Sequence, residues 1–316
     1  MTVENIYEPK SKIMIDILEK SRLVAQSRKP VHIIGEHGSG KKHLATIIHK
    51  SSDRKDYKLS RINCYALPSE EVKEKLFGYI SSTNQSVHVN RGMFEASDNG
   101  TIFIEGFEVL PADLQLRTIE SIYTRTFSHI GSTSRIKSDV RLITSTYKRV
   151  MMHNDSSYSA NNYIYEVNPL ILFLPPLRNR REDIAPLVYN FFNSAYLTND
   201  TTLQFDVLPE VLYHCLHYNW PGNIKQLKNA FIQAALCSGG KDISINYLPK
   251  SIQKGLPGDK QIKEIENSSS FRTAEKNLIH DLLTESNSLR LIATRLGISL
   301  SSVEGKVLQY QLMSVN

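Results

Sequence analysis

Over the first 180 or so positions, apolar residues fall in short runs separated by segments where they return every three or four residues. The runs "VHIIG" at 31–35, "RINC" at 61–64, "TIFIE" at 101–105, "VRLITST" at 140–146 and "LILFL" at 170–174 predict strands. Residues 11–26, "SKIMIDILEKSRLVAQ", place Met14, Ile17, Leu18 and Ala25 at helical spacing, and "KKHLATIIHK" at 41–50 and residues 112–123 read as further helices. Strands alternating with helices imply a mostly parallel sheet covered on both faces. From Ile184 onward the strand signals stop. Residues 184–197, 207–217 and 223–237 read as amphipathic helices, punctuated by "NWPGN" at 219–223. The stretch "GLPGDKQIKEIENSSS" at 255–270 is rich in Gly, Pro, Ser and charge, which suits a linker. The expected organisation is an α/β part over 1–183, a helical lid over 184–254, a linker over 255–270 and a small all-α domain over 271–316, without internal repeats.

Composition narrows the class without naming an activity. A chain of 316 residues with 41% hydrophobic and 22% charged residues has the composition of a soluble globular protein and not of a disordered one. The net charge of +6, from 38 basic and 32 acidic side chains, permits nucleic-acid binding without demanding it. Cys64, Cys215 and Cys237 are odd in number, far apart and lack metal-ligand spacing, so buried free thiols in a reducing compartment are expected. The N-terminus "MTVENIYEPK" has no apolar signal core, and "LILFL" is too short to span a bilayer, so a cytoplasmic location is expected.

The sharpest chemical signal is "GEHGSGKK", Gly35, Glu36, His37, Gly38, Ser39, Gly40, Lys41 and Lys42, between an apolar strand and a helix. Glycines let backbone N–H groups turn inward around phosphate oxygens, Lys41 supplies a point charge, and the helix N-terminus adds its dipole. Lys42 stands where a Ser or Thr hydroxyl would reach magnesium. A glycine turn without a ligand is the bland alternative.

Several further motifs follow in a fixed order: "NCYALPSEEVKEKLFG", "GMFEASDNGTIFIEGFEVLPADLQ", "DVRLIT", "LPPLRNRREDIAPL" and "NWPGNIKQLKNA". With the phosphate loop they resemble the AAA+ domain of bacterial enhancer-binding proteins, the activators of sigma-54 RNA polymerase, from about Lys10 to Pro249, with a Fis-like tail after it. The resemblance implies an AAA+ parallel-sheet nucleotide-binding domain, a helical lid subdomain and a C-terminal all-α Fis-like helix-turn-helix domain.

Against that pattern the residues that work on ATP are altered. The family's strand ends in Asp-Glu, the first acid ordering magnesium and the second polarising the attacking water; here the positions hold Glu105 and Gly106. Glu105 is expected to serve a magnesium ion carried by nucleotide, whereas Gly106 has no side chain to act as a base. Glu108 could substitute only if the strand exit bent sharply. The family's arginine fingers fall on Ala160 and Glu166, its phosphate-sensing Asn on Tyr147, and the lid's sensor Arg on Lys225. The resemblance therefore implies that ATP or ADP is bound, with magnesium accompanying it, and that hydrolysis is weak or absent. The residues do not distinguish ATP, ADP, a cyclic dinucleotide or an empty loop, and nothing in them supports the cyclic dinucleotide.

Partner contacts depart as well. The family's sigma-54-touching loop is replaced by the polar segment Ser81 to Val87, expected to be a shortened solvent loop, so remodelling of sigma-54 polymerase is not expected. With the phosphate loop beginning at Gly35, no receiver or ligand-sensing domain is expected before it, and control is expected through nucleotide, a partner protein or expression level.

In the tail, Leu278, Ile279, Leu282 and Leu283 give one helix an apolar face, Leu291, Ile292 and Leu296 a second, and Gly297 a turn. Val303, Val307 and Leu308 are expected to pin a third helix, leaving Ser301, Ser302, Glu304 and Lys306 facing the major groove of double-stranded DNA. Five basic residues stand against four acidic ones over 271–316, so one tail alone should bind DNA weakly, and a dimer or ring would raise its affinity. The leading expectation is a DNA-binding transcription regulator contacting RNA polymerase or another regulator, as a homo-oligomer or mixed with an active relative. Its rivals are an active or partner-completed ATPase at sigma-54 promoters, and an interaction partner of a related ring that scarcely touches DNA.

Overall fold

The computed structural model describes residues 8–83, 86–147, 163–196, 207–238 and 242–253, and, toward the C-terminus, 276, 279–280, 282–284, 288–290, 292 and 300–312. The chain divides into two compact units, one of Ile13–Pro176 and one of the segment before Ile13 together with Leu177 onward.

The first unit is built on a five-stranded sheet of β1 (Val31–Gly35), β2 (Leu59–Asn63), β5 (Thr101–Glu105), β8 (Arg141–Thr146) and β9 (Leu170–Leu174). Their order is β2-β5-β8-β1-β9 and every pairing is parallel. β1 and β8 are buried at every position, whereas the edge strands β2 and β9 alternate buried and open residues. Sheet position sets that contrast and composition does not: the central β8, RLITST, is mostly polar yet wholly buried, whereas the all-apolar β9, LILFL, leaves Ile171 and Phe173 exposed at the edge. On one face, Val31, Ile33, Phe103 and Ile143 pack with Met14 and Ile17 of α1 (Lys12–Ala25) and Leu44 and Ile48 of α2 (Lys41–Lys50). On the other, Ile62, Ile102, Ile104 and Leu142 meet Val72 and Leu76 of α3 (Ser69–Phe77), Phe94 of α4 (Met93–Ala96), and Leu114 and Ile119 of α5 (Ala112–Thr124). Successive residues of β5 thus feed opposite cores, the period-two signature of a strand.

The segment expected as a polar loop is instead a hairpin. β3 (Gly78–Thr83) and β4 (Ser86–Arg91) pair antiparallel, Ser81 opposite His88 and Thr83 opposite Ser86, as do the two-residue strands β6 (Thr126–Phe127) and β7 (Ile136–Lys137) further along. The base of the β3–β4 hairpin is anchored by Ile130, whose N–H donates to the Gly78 carbonyl at 2.9 Å and whose carbonyl accepts from Ile80 N–H at 3.1 Å.

In the second unit, Asp183 accepts hydrogen bonds from the backbone N–H groups of Lys10 and Ser11 and from the Ser11 hydroxyl at 2.7–2.8 Å, tying the N-terminal segment down. Three longer helices follow, Ile184–Tyr196, Pro209–His217 and Asn223–Ser238. The turn "NWPGN" is held by its own side chains. Trp220 is fully buried with its indole N–H donating to the Cys215 carbonyl at 2.7 Å, and the Asn223 side-chain oxygen accepts from Leu177 N–H at 2.7 Å.

Toward the C-terminus, Ile279, Leu282, Leu283, Ile292, Val303 and Val307 are buried, and a helix runs over Leu300–Gln309. Leu308 was expected to pin that helix but is 60% exposed, because it follows Val307 by one position and so turns about 100° off the buried stripe. Leu278, Leu291, Leu296 and Gly297 lie outside the described residues. Of the three thiols, Cys64 and Cys215 are buried as expected, but Cys237 is exposed near the end of its helix. Among the described residues, no helix is long and apolar enough to cross a membrane.

Candidate nucleotide site

The sheet order gathers the predicted chemistry. Going along β2, β5, β8 and β1, the chain leaves the carboxyl ends of four neighbouring strands at Tyr65, at Glu105 and Gly106, at Tyr147, and at the phosphate loop. The register fixes their level: Asn63 pairs with Glu105, Glu105 with Ser145, and Thr146 with Ile34. A crevice beyond the carboxyl ends of parallel strands is where such sheets bind ligands.

The loop has the geometry its glycines predict. Gly38 and Gly40 take positive φ of 72° and 108°, and α2 starts at Lys41. The Lys41 ammonium is buried and donates to the Gly35 and Glu36 carbonyls at 3.0 Å each. Burial pulls its pKa down to about 8, against the attraction of Glu105, Glu108 and Glu36. Ser39 is buried, and Glu36, His37, Gly38 and Gly40 line the turn with Lys42 exposed on the first turn of the helix.

At the strand end, Glu105 is half-buried and Gly106 turns into the left-handed region at φ 79°. This is the sharp bend that a substitute acid requires. It starts the single turn Phe107–Val109 and buries Glu108. Glu108 is nevertheless engaged, because the Tyr65 hydroxyl donates a short hydrogen bond to its Oε1. Burial, with the Glu108 carboxylate, pushes the Tyr65 phenol well above its usual range and keeps it a donor.

Above Gly106 the two flanking strands close the gap with aromatic rings. Tyr65 and Tyr147 stack with centroids 4.3 Å apart and planes at 9°. A Cβ at position 106 would lie 2.7–2.9 Å from three Tyr65 ring carbons. Tyr147 also covers the Lys41 ammonium, 4.3 Å from ring centroid, and its hydroxyl lies 3.0 Å from Nδ1 of His37 at the loop tip. A cation over a ring face is attracted by the ring quadrupole.

Magnesium fits this set poorly. It asks for near-octahedral oxygen ligands, yet Lys42 brings an ammonium to the hydroxyl position, Gly106 brings no ligand, and Glu108 is held by Tyr65. Glu105 alone among the expected donors remains. Among the described residues there is no cluster of three His, Cys, Asp or Glu side chains suited to a metal.

The remaining predicted residues are placed less fully. Lys225 is exposed in the first turn of the helix Asn223–Ser238. Glu166 lies in the short helical turn Tyr163–Val167, and Ala160 falls outside the described residues. Ser301, Ser302, Glu304 and Lys306 lie on the helix Leu300–Gln309, Glu304 exposed and Lys306 half-buried. Sequence reasoning missed Tyr65. Its only signal was a bulky aromatic just past a strand, which gains meaning when register sets it beside Gly106.

Comparison with known proteins is consistent with this geometry. The family description "Sigma-54 interaction domain" matches residues 8–170, and "AAA+ ATPase lid domain" matches residues 178–265. The chain is 28% identical to the putative uric acid sigma-54-dependent transcriptional regulator UacR of Escherichia coli K12, over 92% of this chain and 51% of UacR. It is 32% identical to the transcriptional regulatory protein ZraR of Klebsiella oxytoca, over 84% of this chain and 62% of ZraR. Crystal structures of NtrX from Brucella abortus with ATP and with ADP share the fold, at TM-scores of 0.68 and 0.69 and 21% and 20% identity. They match 96% and 98% of this chain and 68% and 69% of NtrX. The chain spans about half the length of UacR.

Proposed function

The chain belongs to the family of sigma-54-dependent, enhancer-binding AAA+ transcription regulators, and we propose that within it this protein is a DNA-binding regulator whose core holds a nucleotide without turning it over. The observation that carries the reading is the strand end: Gly106 stands at the base position, and the Tyr65 ring fills the space a base would need. Hydrolysis requires a group within hydrogen-bond reach of the attacking water, and here the candidate substitute acid, Glu108, holds a phenol with its Oε1. The phosphate loop keeps its turn, its helix N-terminus and its buried ammonium, the parts that binding needs.

In this reading the helix Leu300–Gln309 presents Ser301, Ser302, Glu304 and Lys306 to double-stranded DNA, in a cytoplasmic dimer or ring. ATP or ADP at the loop sets assembly, and the core contacts RNA polymerase or another regulator. The hairpin β3–β4 stands where the family's sigma-54 contact lies and carries a different sequence, so its partner surface differs too. The helical tail and its boundary near residue 271 belong to the same reading.

The test is calorimetric titration of ATP and ADP into the full chain, with phosphate release followed in the same samples and Lys41→Ala as control. Binding abolished by Lys41→Ala, without release, supports the proposal; magnesium-dependent release abolished by Lys41→Ala overturns it. The inward turn of Glu108 favours a second reading, a slow ATPase with Glu108 as base, which predicts release lost in both Lys41→Ala and Glu108→Gln.

A further inference from the structure

The aromatic pair over the phosphate loop bears on which nucleotide the site accepts. In a phosphate loop the backbone N–H groups cradle the first two phosphates and the lysine reaches the β- and γ-phosphates. In this chain the outer side of that lysine is covered. Tyr147 lies over the Lys41 ammonium at 4.3 Å, Tyr65 stacks behind it, and Tyr65 is braced by Gly106 on one side and by Glu108 at its hydroxyl. His37 at the loop tip meets the Tyr147 hydroxyl at 3.0 Å, so the rings bridge from the strand ends to the loop itself.

Charge at this end of the crevice acts in the same direction as shape. Glu105 ends β5 and Glu108 sits in the turn just after Gly106, so two carboxylates lie at this end of the site, and burial together with their charge raises the Tyr147 phenol's pKa. A triphosphate brings the most negative charge to that end, and the donor set there is poorly suited to the magnesium that would offset it. The loop amides and the helix N-terminus are left for the first two phosphates, so the ring over Lys41 bears most on the third.

Resting on the nucleotide-binding reading above, we propose that the site selects a nucleoside diphosphate over the triphosphate, with Tyr147 as the specificity-determining residue. To admit a third phosphate, Tyr147 must leave both the lysine and its stacking partner. Each of those contacts is of a size that shifts affinity several-fold, and together they shift it about tenfold or more.

The experiment is calorimetry on the full chain with ADP and with a non-hydrolysable ATP analogue, without magnesium, for wild type, Tyr147→Ala and Tyr147→Phe. The expected result is ADP binding at least about tenfold tighter to wild type. Tyr147→Ala should bring the two within about twofold, mainly by strengthening the triphosphate, and Tyr147→Phe should keep the preference because it keeps the ring. Equal or tighter binding of the analogue to wild type overturns the selectivity while leaving nucleotide binding intact. A preference unchanged in Tyr147→Ala overturns the role of the ring. Failure of both ligands to bind wild type overturns the nucleotide-binding reading and the selectivity with it.

Discussion

Replacing Gly106 by Ala adds one methyl group and is expected to cost about 2–5 kcal/mol, from two separable sources. The residue sits at φ 79°, where an L side chain costs roughly 1–2 kcal/mol. Its new Cβ would lie 2.7–2.9 Å from Tyr65 Cε2, Cδ2 and Cζ, and the ring has little room to retreat, because Tyr147 stacks on it at 4.3 Å and Glu108 holds its hydroxyl. Forcing such a shift falls in the range of about 1–3 kcal/mol seen for overpacking. The assay is urea denaturation by circular dichroism, comparing Gly106→Ala in wild type and in a Tyr65→Ala background, with the shift read at constant slope. In the truncated background only the backbone part remains, so the substitution should cost about 1–2 kcal/mol there. A cost below about 0.5 kcal/mol in wild type, or the same cost in both backgrounds, would refute the reasoning.

Three other predictions concern charge and the tail. Phosphate binding requires protonated Lys41, so affinity for ADP should fall roughly tenfold per pH unit above about 8, with proton uptake approaching one in calorimetry near pH 9; a flat profile from pH 7 to 9.5 would rule this out. For the ligand-free protein the sign is opposite: the lowered folded pKa means the unfolded chain binds more protons, and stability should rise between about pH 8 and 10.5. Gly305→Ala should stabilise the helix Leu300–Gln309 by roughly 0.5–1 kcal/mol, seen as a raised melting temperature, because the added Cβ meets nothing within 4 Å; destabilisation would mean that the segment is not a regular helix.

Periodicity made most of the architecture legible. The strands at 31–35, 101–105 and 170–174 and the helix at 41–50 appear with the boundaries their apolar patterns predict, since a short apolar run bounded by polar or turn residues marks a strand whether it lies at the centre or at the edge of the sheet. The hairpin Gly78–Arg91 was not legible. What makes these residues strands is pairing with each other and with Ile130, a contact 50 residues away in the chain. Leu308 failed for a related reason, since it is apolar but lies one step off a stripe whose direction packing sets.

By itself, the sequence determined the loop that can cradle phosphate, the absence of a side chain at Gly106, and the replacement of Asn by Tyr147, because each is a matter of which atoms a position carries. Only the tertiary structure decided what those changes do together. Register placed Tyr65 and Tyr147 just past the ends of the two strands flanking β5, and the missing side chain at Gly106 lets Tyr65 stack on Tyr147, which covers the lysine. Stacking at 4.3 Å depends on the distance between residues 82 positions apart in the chain, a quantity that sheet order fixes and local spacing does not contain.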